Sequence, residues 1–218
     1  MTINDMTIRI GGAAGDGVES SGAGFCRALA RGGLHVFGLP DYYSRIRGGH
    51  NFFSIRVSEQ PLHSHSKPVH LLLALTEETI PRHRDKLVEG GAIVYDSEFK
   101  IPPDQLTGNG IRYIPAPLSA IAKEKAGIDL ARNTVALGAA AGLTGLDLAP
   151  MQSVIRENFA RKGQKVVDGN LAAAEVGYRE GQKYAADFPF QLRTIPNAPP
   201  RMVLSGTEAF SLGALAGG

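Results

Sequence analysis

Thr7-Ile8-Arg9-Ile10-Gly11-Gly12-Ala13-Ala14-Gly15-Asp16-Gly17-Val18 is the first readable unit of the chain, and it decides the fold class. Thr7 to Ile10 has the β-branched character of a strand, and the glycines that follow are too dense for anything but a tight loop. Val18, Gly22, Phe25, Cys26 and Leu29 then recur at helical spacing until Gly32-Gly33, where a left-handed cap meets no steric penalty. A strand that runs through a glycine loop into a helix is the opening unit of an α/β fold.

Downstream of this unit, His35-Val36-Phe37-Gly38 reads as a second strand and Asn51 to Val57 as a third. Val69-His70-Leu71-Leu72-Leu73-Ala74-Leu75 is an apolar run of strand length, which predicts an internal strand covered on both faces. Thr76 predicts the cap of a helix through about Leu87, ended by Gly90-Gly91, with strands at Ala92 to Tyr95 and Arg112 to Ile114. Strands alternating with helical segments imply crossovers. The expected architecture is therefore three-layer α/β/α, with a mostly parallel or mixed sheet and helices on both faces. Beyond residue 117 the pattern is helical, near Leu118–Lys125, Thr134–Leu143, Pro150–Lys162 and Gln164–Ala186. Phe188-Pro189-Phe190 and Pro196-Asn197-Ala198-Pro199-Pro200 break the periodicity, so the expectation is a main domain over 1–187 and a Pro-rich linker over 188–205. Residues 206–218 carry a small-residue helix capped by Thr207, read either as the opening of a further domain or as a C-terminal helix docked on the core.

The 218 residues, 43% hydrophobic and 20% charged, fit one globular core and exclude disordered and fibrous classes. With 23 Lys and Arg against 21 Asp and Glu, and no block of like charge, nucleic acid is not an expected partner. The single cysteine, Cys26, excludes an internal disulfide and any four-thiolate zinc or iron–sulfur centre held by this chain; it reads as a small core residue on the apolar face of the first helix. The start of the sequence lacks a leader pattern and no stretch approaches the roughly 20 apolar residues of a membrane span, so a cytoplasmic, non-membrane protein is expected.

Two loops can carry chemistry. Gly12, Gly15, Asp16 and Gly17 lie where backbone N–H groups and a helix N-terminus converge, an arrangement that cradles phosphate, pyrophosphate or carboxylate. The spacing is neither G-x-G-x-x-G nor a Walker loop, and the alternative reading is a tight turn that packs helix on sheet. Gly-Asp-Gly also opens the magnesium and diphosphate motif of thiamine enzymes, but the next asparagine, Asn51, stands alone, so that reading is set aside. The second loop, Tyr42 to Asn51, holds Arg45 and Arg47, whose forks suit phosphates and carboxylates, and Gly48-Gly49, which lets backbone approach a ligand. Its alternative is local pairing of the arginines around a turn. Both loops follow early strands and belong at the sheet edge where open α/β folds bind ligands. His63 and His65 read as an exposed turn, with no third ligand for a metal. No nucleophile and base pair up, so no catalytic residue and no metal site are assigned.

Ile10 to Val18, Ser44 to Asn51, Leu71 to Thr79, Asn133 to Gly138, Lys162-Gly163 and Gly169 to Ala174 together resemble, in order, the gamma domain of 2-oxoacid:ferredoxin (acceptor) oxidoreductases. Gly206 to Gly217 resembles the start of the pyrimidine-binding domain in alpha subunits that carry the gamma domain in front. The resemblance implies a Rossmann-like gamma domain in a multi-subunit enzyme that decarboxylates a 2-oxoacid on thiamine diphosphate with magnesium. Electrons would pass through an iron–sulfur cluster to ferredoxin, and the acyl group to coenzyme A. This chain would bind none of the first three, would be inactive alone, and would reach ferredoxin only through its partner subunits. The resemblance further implies that the coenzyme A diphosphate lies near Gly12, Gly15, Asp16 and Gly17 and near Arg47, Gly48 and Gly49. Where the family's commoner loop has a Gly-Gly-Gln-Gly core, this chain has Ala13-Ala14-Gly15-Asp16-Gly17, with an acid in the loop. Two other readings stand beside it: a free-standing nucleotide-binding oxidoreductase, with Asp41 near the ribose-binding distance, and a purely structural interaction module.

Overall fold

The computed structural model describes residues 1–43, 49–108 and 110–218. Its centre is β2 (Asp5–Ala13), in which Met6, Ile8 and Ile10 point to one face and are fully buried. That period of two is the strand periodicity that the alternating sequence dictates. On one side β2 pairs in parallel with β5 (Val69–Ala74), Ile8 opposite Leu71; on the other it pairs antiparallel with β4 (His50–Ser58), Ile8 opposite Ile55. Adding β3 (His35–Tyr42), β6 (Leu87–Asp96) and β7 (Arg112–Ala116) gives a six-stranded sheet in the order β3-β4-β2-β5-β6-β7. β2, β5, β6 and β7 are parallel, while β3 and β4 form an antiparallel hairpin on one flank. The sheet is therefore mixed, and β5 is internal, as its unbroken apolar run requires. A two-stranded parallel pair joins β1 (Thr2–Ile3) to β8 (Phe190–Gln191).

The two covering layers are unequal. α1 (Val18–Arg31), α3 (Leu118–Ala126), α4 (Arg132–Thr144), α5 (Ala149–Phe159) and α6 (Gln164–Gln182) share one hydrophobic core with a single sheet face. Each fully buried Leu or Ile of that core contributes roughly 2 kcal/mol of apolar transfer. Among the described residues, the opposite face holds a smaller cluster of Leu72, Ala74, Ile80, Ile93 and Tyr95, beneath the short α2 (Thr79–His83) and the loops that follow β6.

Several sequence expectations change here. The helix expected from Thr76 to about Leu87 shrinks to α2 and a 3-10 turn over Arg84–Lys86, because Leu87 already pairs with Val69 in the sheet. Gly90-Gly91 therefore lies inside β6, with Gly90 at φ 76, where the register shifts between the pairings of Val69 and Leu71. The boundary expected at 187 meets Phe188 and Leu192, at 1% and 0% exposure, which seal the same core as the helices. At the C-terminal end, α7 (Gly206–Gly217) is capped by Ser205 rather than Thr207: Glu208 N–H donates to Ser205 Oγ, and Ser205 N–H to the Glu208 carboxylate. Among the described residues, no helix is long and apolar enough to cross a membrane.

Candidate functional site

β2, β5, β6 and β7 end at one edge of the sheet, and from β2 the chain passes through residues 14–17 into α1. Gly17, the residue before α1, sits in the left-handed region at φ 71 and Gly15 at φ 97, conformations that carry a penalty for side-chain-bearing residues. No side chain caps α1. Asp16 instead turns back: its Oδ2 accepts from Ala13 N–H at 3.1 Å and lies 3.0 Å from Arg132 Nη2, with both side chains 23% exposed. The anion held by this loop is the chain's own carboxylate, ion-paired to the first residue of α4. Asn133 completes the clamp. Its Nδ2 donates to Asp16 O at 2.5 Å and to Ser21 Oγ at 3.1 Å, which fixes the orientation of the amide. Asn133 Oδ1 and Arg132 Nε are buried with no hydrogen-bond partner among the described residues, so this corner keeps one acceptor and one donor for a ligand or water.

The second loop reaches the first through its backbone. Ala14 N–H donates to Gly49 O at 2.8 Å, and Tyr43 N–H to His50 O at 3.1 Å continues the β3–β4 ladder past the Tyr42–Asn51 pair. Of the expected ligand positions, the structure brings together Gly12, Gly15, Asp16, Gly17 and Gly49; Arg47 and Gly48, with Ser44, Arg45 and Ile46, lie outside the described residues. Gly12 serves packing here, since a Cβ would stand 3.1 Å from Val18 Cγ2 and 3.2 Å from Leu75 Cβ. Between the loops is a cavity of about 250 Å³ lined by Gly15, Gly17, Ser20, Pro40, Asn51 and Phe52. It is below the roughly 300–1,000 Å³ that takes a whole drug-sized ligand, and matches part of one. Gly17 and Ser20 also line a second cavity of about 600 Å³ between α1, α4, α5 and α6.

Arg132 and Asn133 are the residues that sequence reading missed as site members. The stretch starting at Asn133 stood out only as a motif, and no local spacing reveals contacts made across 117 and 112 positions. His63 and His65 are exposed, and no group of three metal-ligating side chains occurs among the described residues. Cys26 is 2% exposed, and burial pushes its thiol up to about 12, so it is an inert core residue at neutral pH.

The family described as pyruvate ferredoxin/flavodoxin oxidoreductase matches residues 7–180. Among curated proteins, ketoisovalerate oxidoreductase subunit VorA of Methanothermobacter thermautotrophicus is 32% identical over 79% of this chain and 36% of its own length. The 2-oxoacid:ferredoxin oxidoreductase subunit alpha of Saccharolobus solfataricus is 25% identical over 96% of this chain and 38% of its own length. Among solved structures, a 2-oxoglutarate:ferredoxin oxidoreductase from Magnetococcus marinus with 2-oxoglutarate, coenzyme A and succinyl-CoA bound superposes at TM-score 0.89 and 29% identity. It covers 99% of this chain and 37% of that one. The gamma subunit of a keto/oxoacid ferredoxin oxidoreductase from Geobacter sulfurreducens superposes at TM-score 0.67 and 25% identity, over 82% of this chain and 99% of that subunit. The chain thus spans well under half of the curated relatives it matches and nearly all of a gamma subunit.

Proposed function

Because the chain belongs to the pyruvate ferredoxin/flavodoxin oxidoreductase family, we propose that it is the gamma domain of a 2-oxoacid:ferredoxin oxidoreductase, supporting the assembly and the approach of coenzyme A. Thiamine diphosphate, magnesium and the iron–sulfur cluster would be held by partner domains, and ferredoxin would be met through them. The observation that carries the coenzyme A reading is the Ala14–Gly49 hydrogen bond, which joins the glycine loop to Gly49 at the sheet edge. Support also comes from the Magnetococcus marinus relative, whose structure holds coenzyme A. We further propose that residues 206–218 are the opening helix of a further domain. Phe210 at 79% and Leu215 at 81% exposure present apolar surface that such a domain would cover.

Two outcomes are expected of the purified chain. It should not oxidise pyruvate or 2-oxoglutarate with a viologen dye unless partner subunits are added, and turnover by the chain alone would overturn the assignment. In calorimetric titrations it should bind coenzyme A in preference to NAD or thiamine diphosphate. Asp16→Asn keeps an acceptor for Ala13 N–H while removing the charge beside Arg132, so its affinity for coenzyme A and inorganic pyrophosphate should rise about tenfold, or about 1.4 kcal/mol. An affinity unchanged by this substitution would mean that no phosphate approaches the glycine loop.

A further inference from the structure

The sheet face away from the main helical layer carries a buried polar row that the function described above leaves unused. Arg9 of β2 lies between Ile8 and Ile10 but points the other way, donating from Nε to Ser54 Oγ of β4 at 2.9 Å. Its guanidinium sits 4.5 Å from the centre of the Phe52 ring, and its Nη1 is 3.2 Å from His83 Nδ1 of α2. His83 Nε2 in turn stands 2.7 Å from His50 Nε2 at the start of β4. His83 and His50 are 2% and 3% exposed. α2 can come this close to β2 because position 11 is glycine: a Cβ there would lie 2.5 Å from Thr79 Cγ2.

Chemistry fixes the protons in this row. Arg9 only donates, so His83 Nδ1 must accept. Neutral His83 then carries its proton on Nε2 and donates it to His50 Nε2, which leaves the proton of neutral His50 on Nδ1. A second proton on either ring would set two N–H groups against each other at 2.7 Å or turn His83 N–H against the guanidinium. Of the groups facing the pair, Arg9 from β2, Arg82 from α2 and Lys86 from the turn after it strengthen this bias, while Glu78, the residue before α2, opposes it at His50; Asp41 and Tyr43 of β3 and its end act on Arg9. Burial first, then Arg9, His50, Arg82 and Lys86 hold His83 at about 3, and His50 is also lowered, chiefly by burial and then by Arg82.

His50 is also where the β3–β4 connection rejoins the sheet: its carbonyl accepts from Tyr43 N–H, its ring lies 5.6 Å from that of Tyr43, and the adjacent Gly49 carbonyl receives Ala14 N–H. We propose that His83 is a positioning residue, which locks His50 in a single tautomer between itself and β4 and so holds the ends of the β3–β4 connection against the glycine loop. The link between this arrangement and ligand approach rests on the coenzyme A reading above, whereas the arrangement itself does not.

The test uses the full chain and nitrogen-15 NMR. His50 is expected in the Nδ1–H form and His83 in the Nε2–H form, with His83 not titrating between pH 8 and 5; the opposite tautomer at either ring overturns the proposal. In His83→Ala, hydrogen exchange at the Ala14 and Tyr43 amides should quicken at least tenfold. A His83 that served only global stability would quicken the central Leu72 amide and leave those two unchanged, and that result also overturns it. His83→Gln can accept from Arg9 and donate to His50, so it should stay within about twofold of wild type at Ala14 and Tyr43. Tenfold faster exchange there in His83→Gln would sink the proposal even if His83→Ala failed to fold. Coenzyme A titrations run alongside separate the two readings, because a chain that binds none while the tautomers and exchange behave as stated removes the ligand reading and keeps the positioning role.

Discussion

Gly181→Ala is expected to lower stability by about 3 kcal/mol or more, the upper end for an overpacked core. The reason lies in how α6 meets α4. A Cβ at Gly181 would stand 2.0 Å from Ala139 O and 2.8 Å from Leu143 N; one at Gly177 would be 2.2 Å from Val135 O. The contact is reciprocal, with Gly142 and Gly138 of α4 placing the same imaginary atom 2.0 Å from Tyr178 O and 2.3 Å from Ala174 O of α6. Every obstacle is main chain, so no side chain can swing aside, and the helices must part. α4 cannot retreat, because Asn133 through Thr144 are all buried and its other side rests on the sheet. Removing a helical glycine gains only about 1 kcal/mol of propensity, too little to offset that displacement. Gly213→Ala in α7 supplies the control, since nothing lies within 4 Å of its Cβ, and it should be neutral or slightly stabilising. Thermal unfolding of Gly181→Ala should fall by roughly 6–12 °C for a chain of this size. A midpoint within a degree or two of wild type would show that α4 and α6 do not touch through their backbones.

The same helices show what the sequence could and could not tell. Their existence was readable from period and length, and the internal place of β5 from its unbroken apolar run, since both signals are local. The distance between α4 and α6 was not, because Gly138, Gly142, Gly177 and Gly181 act in pairs that are neighbours only after folding. The short α2 was misread for a related reason: a Thr76 cap and polar residues suit a helix, but pairing of Leu87 with Val69 claims the chain for the sheet sooner. At the site, the glycines at 12, 15 and 17 marked the loop correctly as a special backbone. Its electrostatics stayed hidden, because the cation that neutralises Asp16 arrives from Arg132 at the start of α4. Arg9 was visible only as a charge between two isoleucines, and its row of Ser54, His83 and His50 depends on register between β2 and β4 and on the approach of α2.

That row makes acid the second strong lever on this fold. His83 in the unfolded chain takes a proton near the ordinary 6.5, whereas in the folded chain it resists protonation down to about 3. Below 6.5 the unfolded state therefore binds more protons than the native state, so stability falls as pH falls, across the window from 6.5 to about 3. The loss from His83 alone is about 1 kcal/mol at pH 5.5 and about 3 kcal/mol at pH 4.5. His50 and His70 are lowered as well, the latter chiefly by burial where its Nδ1 accepts from Thr7 N–H, and both add a loss of the same sign. Glu157 and Glu208, held low by Arg31 and by Ser205, also lose stabilisation in acid, but equally in any histidine variant. His83→Gln isolates the histidine share. Urea unfolding at pH 7, 5.5 and 4.5 should show the wild type losing about 1 and then about 3 kcal/mol more than His83→Gln, with similar denaturant slopes. Two parallel profiles would mean that folded His83 accepts its proton in the ordinary range, which a ring whose only open nitrogen already accepts from a guanidinium cannot do, and the Arg9–His83–His50 row would then have to be discarded.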